Sequence, residues 1–164
     1  MKKILFISLA FCYCSCVFSQ EISGSFAVLQ NFDNVIHLEF NYKSIHGMTE
    51  NDFAEYETDW RKDKNNIEGI FISNAMDKTP GVTLSKRTES PYTIRMDVNS
   101  ISRKGDYQCD AVLLDQQGKE LGKIKDIKGK GGTFGTKLNL ISDGAKSTGA
   151  KFGKLLRKAI NSGK

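Results

Sequence analysis

His37 and His46 are the only histidines in the chain, and Glu39 lies two positions beyond His37. In a strand, His37 and Glu39 share one face, which is a start toward metal binding. A tetrahedral zinc site needs three or four ligands, however, and no further histidine or clustered cysteine downstream of the leader completes one. A Cys–His or Ser–His–Asp catalyst would draw on the same two histidines, and no nucleophile-elbow pattern accompanies them. Five acids, Asp52, Glu55, Glu57, Asp59 and Glu68, contain enough carboxylates for glycan hydrolysis, in which two acids straddle the scissile bond. Arg61, Lys62 and Lys64 are interspersed among them, so the segment reads as the solvated face of a helix. The run from Gly129 to Lys137 invites a phosphate-loop reading, but Gly131 and Gly135 enclose three residues where a Walker A loop has four. Phe134 also stands where the dinucleotide fingerprint has its last glycine. A flexible strand-to-helix connection is expected there, with no metal, nucleotide or other cofactor.

The elements that carry these residues follow from periodicity. Ile36, Leu38, Phe40 and Tyr42 alternate with polar residues in a first strand over 32–42. Thr49 and Asp52 form a capping-box-like start to one long helix over 50–77, with Phe53, Tyr56, Trp60, Ile67 and Phe71 on its apolar stripe. Pro80-Gly81 ends it, and Val82–Leu84 is at most a short edge strand. Strands from Tyr92, over Tyr107–Leu114 and over Glu120–Lys128 are joined by short glycine turns into an antiparallel meander. Leu121, Ile124 and Ile127 are spaced by three, which calls for a bulge near Gly122. A helix over about 138–160 closes the chain; Gly144, Gly149 and Gly153 would each weaken it by about 1 kcal/mol, so its backbone must meet a neighbour closely. The expected fold is α+β, a mostly antiparallel sheet of four or five strands with two helices packed on one face in β-α-β-β-β-α order.

Composition bounds the rest. The 164 residues, 39% hydrophobic and 26% charged, describe a globular protein of one domain. Lys2-Lys3, the apolar run from Ile4 and the small-residue site ending at Ser19 form a secretory leader over 1–19, leaving one domain over 20–164. The alternative is a lipoprotein anchored through Cys16, although Tyr13 replaces the usual aliphatic residue. Either way the protein is exported, periplasmic or secreted, with no transmembrane helix once the leader is removed. Cys109 alone remains in the mature chain, as a buried small hydrophobe.

Charge is divided along the chain. Residues 20–118 hold 10 basic and 16 acidic side chains, whereas 119–164 hold 12 basic and 3 acidic. No aromatics are interleaved among the lysines from Lys119 to Lys130, which argues against nucleic acid. An anionic surface component or an envelope protein is the expected partner, with Lys151, Lys154, Arg157 and Lys158 as the candidate surface, unless these charges face the acidic segment Glu50–Asp59 of the same molecule.

The leader end Phe18-Ser19-Gln20 and the motif Gly131-Gly132, Asn139, Asp143-Gly144-Ala145-Lys146, Phe152-Gly153-Lys154 resemble small exported proteins of the Bacteroidota. The helix and antiparallel-sheet order is also similar to the anticodon-binding-like periplasmic domains of envelope-assembly proteins, including that of the curli secretion channel. The resemblance implies an envelope-located module of unknown activity, and the expected function is that of a non-catalytic binding or assembly module. The enzyme alternative is a small carboxylate-based glycan hydrolase.

Overall fold

In the computed structural model the described residues are 21–87 and 89–162; the expected leader, with Cys16, lies outside them. Strand β1 (Ile22–Gly24) is followed by a single 3-10 turn, Ala27–Leu29, and β2 (Val35–Tyr42). Two helices follow, α1 (Glu50–Tyr56) and α2 (Trp60–Met76), then β3 (Thr83–Ser85), β4 (Tyr92–Ile101), β5 (Tyr107–Asp115), β6 (Glu120–Gly129) and α3 (Lys137–Ser162).

The sheet is larger and more mixed than the four- or five-stranded antiparallel one expected: six strands lie in the order β1-β6-β5-β4-β2-β3. The meander β4-β5-β6 is antiparallel as read from its short turns. But β2 runs parallel to both β3 and β4, because the helices between them carry the chain back to its starting end. β1 adds a strand on β6, and neither of these pairings leaves a local sequence signal.

The expected long helix is two helices. The chain leaves helical geometry at Glu57 (φ −117°, ψ 87°), and α2 restarts at Trp60. The break lets Trp60 pack edge-on against both Tyr42 and Phe53, with centroids at 5.6 and 5.5 Å, while its Nε1 donates to Glu50 Oε1 at 3.2 Å. Tyr56 is left outside at 58% exposure despite its place on the apolar stripe. The predicted cap is present: Thr49 Oγ1 accepts from the Asp52 N–H at 3.2 Å.

On β6 the spacing of Leu121, Ile124 and Ile127 has two causes. One residue is extra at Leu121, beside Gly122, and another lies between Ile124 and Ile127, where Asp126 adopts φ +57°. Asp126 is held in this conformation by its N–H, which donates to Asp110 Oδ1 at 3.0 Å.

One face of the sheet carries the core, with Leu38, Ile94, Met96, Cys109, Ala111, Leu113, Ile124 and Ile127 completely covered by α2, α3 and the first turn. The other face is polar. On it Asp97 accepts from Asn41 Nδ2 at 2.9 Å and Arg95 Nε at 3.2 Å; burial alone would push its carboxyl up, and these two donors hold it below the usual range instead. Val112, a buried apolar residue there, lies in register between Arg95 and Lys123 on the neighbouring strands.

α3 is part of the core along its length. Ile141, Phe152 and Leu156 are fully buried, each contributing about 1.5–3 kcal/mol of transfer free energy. All three interior glycines face neighbours: a Cβ on Gly144 would lie 1.9 Å from the Gly105 carbonyl, on Gly149 2.2 Å from the Phe71 carbonyl, and on Gly153 2.2 Å from the Ala75 carbonyl.

Candidate functional site

Because α3 buries one stripe against α2 and the sheet, helical geometry turns Lys146, Ser147, Lys154, Arg157 and Lys158 to solvent, with Lys151 half-buried at the flank. Each basic residue of the neighbouring strand β6 that lies in its bulged half or beside it has a carboxylate: Lys123 with Asp110 at 3.7 Å, Lys125 with Glu21 at 3.0 Å, Lys128 with Asp126 at 2.8 Å. Lys137, at the start of α3, reaches Glu57 at 3.5 Å and donates to the Tyr56 hydroxyl at 2.9 Å. That contact is the only ion pair between α3 and the acidic segment Glu50–Asp59 among the described residues. Lys146, Lys151, Lys154, Arg157 and Lys158 form no ion pair among the described residues, so α3 carries uncompensated positive charge along its outer face.

Two hollows flank this face. The larger, of about 900 Å³, is bordered by Ser102, Lys128, Lys130, Ser147, Lys151 and Lys154. The smaller, of about 440 Å³, lies between the ends of α2 and α3 and is bordered by Asp77, Lys78, Pro80, Lys154, Arg157 and Lys158. Lys154 belongs to both, and the four candidate residues are thereby brought into one continuous surface. Lys130 and Lys78 join it from just beyond the ends of β6 and α2; nothing in the sequence marks them as neighbours of α3, because only the tertiary packing brings them there. The single carboxylate bordering the larger hollow, Asp106, is occupied: its oxygens accept from the Gly131 N–H and the Ser102 hydroxyl, each at 3.0 Å.

The five acids read as a solvated face separate into different environments. Asp52 Oδ2 accepts from the hydroxyl of the capping Thr49 at 2.7 Å, Glu55 and Asp59 are exposed, and Glu57 pairs with Lys137. Glu68 departs from the expectation: it is 1% exposed, because α2 turns it toward β2 and the chain after β3. There it accepts from the Tyr42 hydroxyl at 3.2 Å and pairs with Lys86, while Lys64 lies 3.9 Å away. Lys64 also bonds Glu50 at 2.5 Å and lies over the Tyr42 ring. Burial, then the nearby Tyr107 and Glu68, push the Tyr42 phenol well above its usual range. The Tyr107 hydroxyl, also buried, has no hydrogen-bond partner among the described residues.

His37 and His46 lie in different settings. His37 borders a hollow with Arg87, Glu89, Thr93 and Gln116. His46 lies beyond the end of β2 in a two-residue turn with Gly47, at φ +54°, where asparagine is the usual occupant. Its ring packs edge-on against Phe53 at 5.0 Å, and burial, then Lys137 and Arg103, lower its pKa from the usual 6.5. Cys109 is fully buried, as expected, and burial pushes its thiol up to about 12. The glycine-rich connection is pinned at Gly131, where a Cβ would come within 1.9 Å of the Lys104 carbonyl.

No family model matches the chain, and no curated protein does. Among solved structures it is similar to the PelC dodecamer from Paraburkholderia phytofirmans, at 13% identity over 83% of this chain and 96% of that one, with a TM-score of 0.47. A methionine variant of the same PelC dodecamer gives 14% identity over 85% and 96%, with a TM-score of 0.45. Among the described residues no helix is long and apolar enough to cross a membrane.

Proposed function

We propose that the protein is an exported, non-catalytic binding module of the cell envelope that holds an anionic component on the outer face of α3. The observation that carries this reading is the contrast between the paired lysines of β6 and the unpaired Lys146, Lys151, Lys154, Arg157 and Lys158 of α3. A solvated helix face ordinarily intersperses both signs, and α3 has one acid, Asp143, against six basic residues. Near an anionic surface each lysine or arginine adds about 1 kcal/mol of attraction, so five together suffice for binding without any chemical step. The hollows support a binder over a hydrolase: glycan hydrolysis needs two acids in one cleft, and each hollow here has one, Asp106 or Asp77. The resemblance of the leader end and the C-terminal motif to exported proteins supports the envelope location.

The test is titration of the mature protein with dextran sulfate and with neutral dextran. Binding to the sulfated polymer alone, weakening steeply as salt rises, is the expected result. Lys151→Gln, Lys154→Gln, Arg157→Gln and Lys158→Gln combined should abolish it without changing the melting temperature. Equal binding by that variant would refute the assignment.

A further inference from the structure

Phe134, in the connection between β6 and α3, is 89% exposed, and the loop that carries it is braced. The Gly131 N–H donates to Asp106 Oδ1 at 3.0 Å, the Asn139 N–H to Thr136 Oγ1 at 3.3 Å, and Gly131 lies against the Lys104–Gly105 turn. The fold thus holds an apolar ring in water without using it for packing. Three cations surround the base of the loop: Arg103 and Lys104 on the turn it leans on, and Lys130 at its root, all exposed and without an ion pair among the described residues. Of the acids nearby, Asp106 has both oxygens engaged, and Asp143 lies against Gly132 on the α3 side.

We propose that this loop is a membrane finger: Phe134 enters the boundary between headgroups and acyl chains of an anionic bilayer, while Arg103, Lys104 and Lys130 meet the lipid phosphates. A protein partner would need an apolar cluster to bury, since hot spots are grouped and ringed by further contacts. Phe134 instead has only glycines and threonines for its immediate neighbours in sequence, from Gly131 to Thr136, so the loop itself offers no second large apolar side chain. A single aromatic ring with cations around it matches the layered chemistry of an interface, apolar beneath and anionic above. This site shares Lys130 and the envelope location with the preceding reading, while Phe134, Arg103 and Lys104 lie outside the surface assigned there.

The experiment is co-sedimentation of the mature protein with vesicles of equal parts phosphatidylglycerol and phosphatidylcholine, and with phosphatidylcholine alone. Binding to the anionic vesicles only is expected. Phe134→Ser should weaken it about tenfold, from the loss of a partly buried ring. Lys104→Gln with Lys130→Gln should weaken it by at least about tenfold. Phe134→Trp should retain binding, and its added indole emission should shift to the blue on anionic vesicles, above the constant signal of buried Trp60. Dextran sulfate binding by Phe134→Ser should equal wild type, which separates this site from α3. Wild-type partitioning by Phe134→Ser, or an emission of Phe134→Trp unmoved by lipid, overturns the proposal. So does loss of dextran sulfate binding or of self-association in Phe134→Ser with vesicle binding intact, which would assign the loop to a polymer or protein contact.

Discussion

Replacing Gly149 by alanine sets two known effects against each other. In an open helix interior the change stabilises by about 1 kcal/mol, because alanine restricts the unfolded chain and favours the helix. At Gly149 the new Cβ would lie 2.2 Å from the Phe71 carbonyl oxygen, 2.9 Å from its carbon and 3.0 Å from its Cα. All three are backbone atoms, so no side chain can turn aside, and α3 must move off α2 by about 1 Å to restore van der Waals contact. That displacement loosens the stacked Phe71–Phe152 pair at 5.8 Å and stretches the 2.7 Å bond from Thr79 Oγ1 to the Gly153 carbonyl. Overpacking of this kind costs about 1–3 kcal/mol, which exceeds the helix gain. Gly149→Ala is therefore expected to destabilise by about 1–2 kcal/mol, and Gly149→Leu by more. Gly69, in α2 with nothing within 4 Å of an added Cβ, supplies the control, and Gly69→Ala should stabilise by up to about 1 kcal/mol. Urea unfolding of the two variants decides the matter through their opposite signs. If Gly149→Ala matches or exceeds wild type at an unchanged m-value, the close approach of α3 to α2 is refuted.

Glu68→Ala leaves the Tyr42 hydroxyl without its acceptor, so a loss of about 2 kcal/mol is expected by urea unfolding, whereas Glu68→Gln keeps an acceptor and should lose about half as much. Equal effects from both would mean that the charge, and not the hydrogen bond, matters there. The lowered pKa of His46 means that the native state binds its proton less readily than the unfolded chain, so its contribution to stability is present above the ordinary value of 6.5 and is lost as the pH falls below it. His46→Asn suits the left-handed turn and should flatten the loss of stability between about pH 7.5 and about pH 5.5; an unchanged slope would assign that loss to other groups. Cys109 should resist iodoacetamide in the native protein and react once urea unfolds it, and rapid native alkylation would contradict its burial and raised pKa.

The sequence revealed what local periodicity can encode. The alternation from Ile36 to Tyr42, the meander turns, the Thr49 cap, the Val82–Leu84 edge and the inward glycines of α3 all correspond to described features. The parallel alignment of β2 with β4 was hidden, because pairing partners 56 residues apart, such as Asn41 and Asp97, leave no pattern in either segment. β1 was hidden because Ile22-Ser23-Gly24 is too short for alternation to register. The break before Trp60 escaped detection because the apolar spacing continues in phase across it. Of the candidate surface, Lys151, Lys154, Arg157 and Lys158 were legible from charge alone. Lys78 and Lys130, by contrast, join it only through folding, and the burial of Glu68 depended on how α2 is rotated.

The pairing of β1 with β6 has a consequence for the order in which the chain can assemble. Ile22 aligns with Ile124, so the first strand after the expected leader meets its partner, the only one among the described residues, near the far end of the molecule. During synthesis β1 therefore has nothing to zip onto until most of the sequence has emerged, while the local hairpins from β4 to β6 can form as soon as they are made. The loop it closes is long, yet closure entropy grows only logarithmically with length, so the delay is set by synthesis and not by a prohibitive barrier. An N-terminal edge that stays unpaired this long leaves Ile22–Gly24 open to other strands until β6 arrives.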